Sequence, residues 1–248
     1  MNNAQNDIYL SVVIPAYNEQ ERIADTLYTV KEFLNAQPYK SEIIVVDDGS
    51  RDWTTEVIKT VDIYGNEMKD QNVSSIMENV KNVGKGFSVA RGMLRAHGKY
   101  ILFSDADLST PIEEVNKFLP ELEKGCEVVI GSRRMDDSEV EKKPFYRELM
   151  SFTFNSVVGL FAIRGIKDTQ CGFKAFSSEA GKKIADMQKL YGFSFDVEQL
   201  FLARKLGYCI KEIPVKWEHV EGSKIDPLRD SIRMFIDVMR IRMIHRKA

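Results

Sequence analysis

Short apolar runs bounded by polar turns recur at residues 10–14, 43–46, 73–77, 100–103 and 128–130, each of strand length. Between them the apolar positions switch to helical spacing. In residues 19–35, Ile23, Leu27, Val30 and Leu34 fall on one face, and residues 53–64, 85–97 and 111–123 repeat the pattern, the last with Pro111 in its first turn. Strand and helix in alternation predict an α/β fold with a mixed, mostly parallel sheet flanked by helices. Beyond residue 135 the rhythm breaks. Residues 135–147 are charged and aperiodic, which predicts a loop, and residues 149–163 form an uncharged, helix-like stretch. A helix near 196–206 and a strand over 208–217 follow. Residues 227–245 predict a final amphipathic helix with Leu228, Ile232, Phe235, Ile236, Met239 and Met243 on one face.

Composition narrows this picture only in places. With 248 residues, 44% hydrophobic and 29% charged, the chain suits one globular domain spanning 1–248, and nothing in it reads as disordered or repetitive. Thirty-five Lys and Arg against 37 Asp and Glu leave a net charge of −2, so no global field attracts nucleic acid and an anionic ligand needs a local cluster. Three cysteines, odd in number and without metal spacing, predict a reduced, cytoplasmic-facing protein. The N-terminal residues lack the basic and apolar regions of a secretory signal. Residues 149–163 fall short of the roughly 20 apolar positions needed to cross a bilayer.

The chemistry collects at the predicted strand ends, where open α/β sheets bind ligands. Pro15, Ala16, Tyr17 and Glu19 follow the first strand; Asp47 and Asp48 precede Gly49 after the second. Gly84 and Lys85 lie beyond the third, at the start of a helix whose amides are expected to face an anion, with Arg91 further along it. Asp105, Ala106 and Asp107 follow the fourth. A D-x-D alone is equally a helix-capping turn, but in series with the other strand-end acids it suits Mg²⁺ or Mn²⁺ held by one or two carboxylates and completed by phosphate oxygens. Asp47 and Asp48 are acceptors suited to a nucleobase or ribose, or else turn and cap residues.

The segments SVVIPAYNE, VVDDGS, NVGKG with Arg91, and DADLS, in this order, resemble the donor half of family 2 glycosyltransferases with the Rossmann-like GT-A fold. GSR at 131–133, DTQCGFK at 168–174, FDVE at 195–198 and EGSK at 221–224 resemble the polyprenyl-phosphate branch, above all the dolichyl-phosphate β-glucosyltransferases. The resemblance implies a nucleotide-sugar-binding half over about 8–132 and an acceptor half over about 133–248. It also implies inverting transfer of a sugar to a polyprenyl phosphate. Ser109 stands where the related mannose synthases often carry glutamine, which favours UDP-glucose over GDP-mannose; a soluble acceptor is the other alternative.

For such a reaction Asp107, assisted by Asp105, would hold the metal at the leaving diphosphate. Arg133 is the first choice for the acceptor phosphate, with Arg147 and Lys224 as further cations. A phosphate nucleophile is already anionic at pH 7 and needs no strong base. Asp168 and Asp196 are the carboxylates to examine if a base exists. An acceptor with a long apolar tail implies a protein peripheral on the cytoplasmic face of a membrane, docked through residues 149–163 and the basic end of the last helix, Arg240, Arg242, Arg246 and Lys247.

Overall fold

The computed structural model describes residues 8–61, 73–140, 163–220 and 227–246. The five anticipated strands of the first half are present: β1 (Leu10–Ala16), β2 (Ser41–Asp47), β3 (Val73–Glu78), β4 (Tyr100–Ser104) and β5 (Val128–Ser132). Two more, β6 (Phe173–Ser177) and β7 (Ile210–Pro214), complete a seven-stranded sheet of order β3-β2-β1-β4-β6-β5-β7. All neighbours run parallel except β6, which is antiparallel to both β4 and β5. The sequence pattern did not announce β6. Its FKAFS run carries a lysine at a wholly buried position, which interrupts the apolar run of a buried strand.

Period-2 alternation decides what each face packs against. Val12, Ile14, Val45 and Leu102 look toward α1 (Ile23–Asn35), α2 (Thr54–Thr60) and α4 (Val115–Glu123). Val13, Ile44, Val46, Ile101 and Phe103 look the other way, onto α3 (Lys85–Arg95), α5 (Ser178–Met187), α6 (Phe195–Lys205) and α7 (Pro227–Ile244). The result is a three-layer α/β sandwich, with the GT-A arrangement implied by the motifs.

Helix boundaries differ from the periodic pattern where side chains capture the backbone first. Helix α1 starts at Ile23 rather than residue 19, because the amides of Asn18, Glu19 and Gln20 donate to Ser50 Oγ, Thr54 Oγ1 and Asp52 Oδ2 (2.9, 2.6 and 3.3 Å). Helix α3 stops at Arg95, before a buried Glu42 carboxylate that accepts from the His97 amide and Ser11 Oγ. The 135–147 loop is described as far as residue 140. Most of the 149–163 segment, Arg147 and Lys224 lie outside the described residues.

The expectation of three reduced thiols is corrected. Cys126 and Cys209 form a disulfide, with Cα atoms 5.0 Å apart. The two residues are 83 positions apart and meet because β5 and β7 pair in parallel register from Val128 and Ile210, with the Val128 amide donating to the Cys209 carbonyl. Spacing alone carries no trace of that register. Cys171 is free and fully buried, and burial pushes its thiol up to about 11. Protein purified without reductant should therefore show no thiol reactive to Ellman's reagent at pH 8 when native and one when denatured. Three thiols on denaturation would mean that the disulfide does not form; a reactive native thiol would contradict the burial of Cys171.

Candidate active site

The strand order reverses between β1 and β4, and a crevice opens outside the carboxyl ends of strands at such a switch point. Pro15 and Ala16 end β1 there, followed by the half-buried Tyr17 and Glu19. Asp105, Ala106 and Asp107 follow β4. Since β6 runs antiparallel, its entrance lies at the same edge: Phe173 pairs with Ser104, and the Asp105 amide donates to the Gly172 carbonyl. A Cβ at Gly172 would overlap the Asp105 carboxylate, so only glycine leaves that side chain its place. The D-x-D turn closes with Leu108 at φ 47°, the Ser109 amide on Asp107 Oδ1 (2.9 Å), and Thr26 Oγ1 on the Ala106 carbonyl (2.6 Å).

Four acids at this edge have fixed partners. Asp168, fully buried, takes a forked pair of hydrogen bonds from Arg133 Nε and Nη2 (2.7 and 2.9 Å) and a third from the Arg133 amide. Burial alone would raise its carboxyl; the guanidinium and these bonds outweigh that and hold it well below the usual carboxylate range. Asp196 accepts from Lys174, whose ammonium is wholly buried and also donates to the Cys171 carbonyl. Asp48 accepts from Asn79 Nδ2 and the amides of Val83 and Gly84 (2.8, 3.0 and 2.8 Å). Asp47 accepts from Thr55 Oγ1 (2.6 Å) and from the Ser50 amide and hydroxyl.

Asp105 is different. Its Oδ1 lies 2.6 Å from Lys85 Nζ yet makes no hydrogen bond of good geometry. Burial, with Asp107 and Asp196 nearby, raises its carboxyl above the ordinary value despite the opposing Lys85 ammonium. Asp105 and Asp107 lie close together with the Lys85 ammonium paired to Asp105, an arrangement that fits a divalent ion on the two acids. No three ligating side chains converge among the described residues. A cation completed by substrate phosphate oxygens requires no such trio.

Several residues sit otherwise than the sequence suggested. The amides of Val83, Gly84 and Gly86 donate to Asp48 and to the Tyr191 carbonyl, so the loop before α3 offers the Lys85 ammonium, not those amides, to an anion. Arg91 donates to the Glu78 carbonyl and Asn79 Oδ1 (2.8 and 2.5 Å), bracing the residue that holds Asp48. Asp47 and Asp48, 2% and 3% exposed, organise the surrounding loops with their oxygens already taken. Asp168 and Asp196 are ion-paired, which makes either a poor base. Sequence reasoning missed Lys174, Gly172 and Asn79, although the first two stood inside a quoted motif.

An open depression of about 650 Å³ is lined by Glu139, Lys216, Trp217 and His219 among others. The Arg133 guanidinium lies over the Trp217 ring (5.8 Å to its centroid). The Glu218 amide donates to the Ser109 carbonyl (2.8 Å), tying this wall to the D-x-D turn.

Sequence and fold define a glycosyltransferase. The glycosyl transferase family 2 model matches residues 11–185, and the chain belongs to that family. Among its relatives are dolichyl-phosphate β-glucosyltransferases. That of Dictyostelium discoideum is 39% identical over 251 residues, 97% of this chain and 76% of the relative. That of Saccharomyces cerevisiae is 39% identical over 263 residues, covering 99% and 78%. The human enzyme is 33% identical, covering 94% and 75%. The fold is shared with glucosyl-3-phosphoglycerate synthase from Mycobacterium tuberculosis, solved with Mn²⁺, uridine diphosphate and glucosyl-3-phosphoglycerate (TM-score 0.65, 18% identity, 95% and 80% covered). Mannosyl-3-phosphoglycerate synthase from Rubrobacter xylanophilus shares it too (TM-score 0.68, 18% identity, 97% and 75% covered).

Breaking the Arg133–Asp168 pair leaves a buried charge uncompensated, so Asp168→Asn should cost about 3–5 kcal/mol at pH 7. The folded carboxyl takes its proton at lower pH than the unfolded one. Its stabilisation is therefore complete above the unfolded value of about 4 and shrinks as pH falls toward the folded value. In urea denaturation the gap between wild type and variant should be full at pH 7 and pH 5 and narrower at pH 3. A gap unchanged across that range contradicts the pairing.

Proposed function

We propose that this protein transfers glucose from UDP-glucose, with inversion, to dolichyl or another polyprenyl phosphate. The observation that carries the reading is the under-neutralised Asp105 beside Lys85, on the same edge as Arg133. One position suits a metal-bound diphosphate, the other a phosphate monoester. The β-glucosyltransferase relatives support the sugar and the acceptor, and Ser109 in the D-x-D segment supports UDP-glucose over GDP-mannose.

In this mechanism Pro15, Ala16, Tyr17, Glu19 and Ala106 shape the donor crevice, and Asp47, Asp48, Gly84 and Arg91 hold its loops. Asp105 and Asp107 would hold Mg²⁺ or Mn²⁺, which supplies charge stabilisation to the departing nucleoside diphosphate. Lys85 adds a positive charge that is already in place at the same diphosphate. Arg133 is kept rigid by Asp168 and holds the acceptor phosphate in line, with Arg147 and Lys224 as further cations. The acceptor oxygen attacks as an anion, so no side chain needs to remove a proton. The ion-paired state of Asp168 and Asp196 supports this.

The lipid acceptor calls for a membrane surface. No helix among the described residues is long and apolar enough to cross one. Helix α7 buries Val238 and Ile241 against the core and leaves Phe235, Ile236, Met239 and Met243 between 40% and 66% exposed. The side chains of Leu228 and Ile232 lie outside the described part. This apolar stripe, followed by exposed Arg240, Arg242 and Arg246, supports peripheral docking on an anionic membrane surface.

One assay tests the proposal: labelled UDP-glucose with polyprenyl phosphate in anionic vesicles and Mn²⁺ or Mg²⁺. Labelled lipid should form and the protein should float with the vesicles, less so at high salt. EDTA should abolish transfer and Asp107→Asn reduce it by roughly 100-fold or more. GDP-mannose, 3-phosphoglycerate and free polyprenol should be inert. Transfer to the free alcohol at a comparable rate would refute the phosphate-nucleophile mechanism.

A further inference from the structure

Glu198 of the FDVE segment has no role in the chemistry above, yet it is one of the most heavily used side chains in the protein. Glu198, on α6 and fully buried, accepts from the amides of Lys189 and Leu190 (2.9 and 2.8 Å). Its Oε1 also lies 2.5 Å from Nε2 of His245, the residue just past α7 and itself 2% exposed. A second tie joins the same two regions: Ser194 Oγ donates to Asp237 Oδ2 of α7 (2.9 Å).

The segment that Glu198 holds packs directly against the donor loop. The Tyr191 carbonyl accepts from the Gly86 amide (2.8 Å), and Gln188 Nε2 donates to the Gly86 carbonyl (2.8 Å). Gln199, the next residue of α6, fixes Gln188 by donating from Nε2 to Gln188 Oε1 (2.9 Å). A Cβ at Gly86 would come within 2.8 Å of the Leu190 carbonyl and 2.6 Å of Phe195 Cβ, so the two segments meet with no slack. Lys85 lies between Gly84 and Gly86. Hydrogen bonds and the short backbone stretches between them thus link the end of the C-terminal helix to Gly86, the residue after the lysine beside Asp105.

We propose that His245 and Glu198 are positioning residues for the donor site, through which the docked C-terminal helix fixes the Lys85 loop for a nucleoside diphosphate. The proposal rests on the donor reading above. Loss of the His245 contact leaves Glu198 Oε1 with the Lys189 amide alone and loosens residues 189–191; the cost then appears where Lys85 acts, in affinity for the diphosphate. The acceptor side, built on Arg133 and Asp168, is braced by the β5 end and the β6 entrance and does not use this path.

The probe is UDP with Mn²⁺, titrated by calorimetry into the full chain. His245→Ala should weaken UDP about tenfold and raise the KM for UDP-glucose similarly, with the KM for polyprenyl phosphate unchanged. His245→Gln, which keeps a donor nitrogen, should recover affinity to within about twofold. By reciprocity, UDP–Mn²⁺ should slow hydrogen exchange at Lys189, Leu190 and the last turn of α7 in the wild type, a readout that needs no variant to fold. Unchanged UDP affinity in a folded His245→Ala with a lowered melting temperature, or exchange at those amides insensitive to UDP, overturns the coupling alone. A wild type that binds no UDP overturns the donor reading and the coupling with it.

Discussion

Charge brought together at one edge of a mostly parallel sheet is the constraint on which this structure depends. Parallel strands deliver their ends, and the polar residues after them, to a single side. Asp48, Asp168 and Asp196, all buried, collect there with the half-buried Asp105 and Asp107, and buried carboxylates are tolerated only with compensation. Arg133 answers Asp168, Lys174 answers Asp196, and amides with Asn79 answer Asp48. Asp105 alone is left with a lysine at an imperfect angle and a carboxyl pushed upward. The uneven distribution of partners separates the acids that hold the surrounding loops together from the one proposed to meet substrate and metal.

Much of this was legible in the sequence because local pattern and topology agreed. The strand-helix alternation yields the first four parallel strands almost without ambiguity, and placing their ends together yields the D-x-D, the Lys85 loop and Arg133 as one neighbourhood. What could not be read was partnership at long range. The antiparallel β6 is what brings Gly172, Lys174 and Asp168 to the same edge, and its five residues carry no alternation to reveal it. Asp47 and Asp48 look like free acceptors until Ser50, Thr55, Asn79 and two amides are seen occupying them. The Cys126–Cys209 pair likewise depends on β5–β7 register.

The C-terminal helix shows how one amphipathic pattern can serve two surfaces. The apolar face anticipated from spacing is the exposed one, Phe235, Ile236, Met239 and Met243. The residues that bind the helix to the core, Val238, Ile241 and His245, lie on an adjoining face. Exposure on one side and a buried histidine-carboxylate contact on the other place this helix between the solvent and the α6 helix that braces the donor loop. Lys205 reinforces the attachment by donating to the His245 carbonyl.

The central claim is that Asp105 and Asp107 form an incomplete cation site that a nucleoside diphosphate completes. Mn²⁺ binding followed by water-proton relaxation tests it most directly. The account predicts weak binding of Mn²⁺ to the protein alone, one tight site once UDP is present, and loss of that site in Asp105→Asn. Tight Mn²⁺ binding without nucleotide, or UDP bound equally well in EDTA, would contradict it.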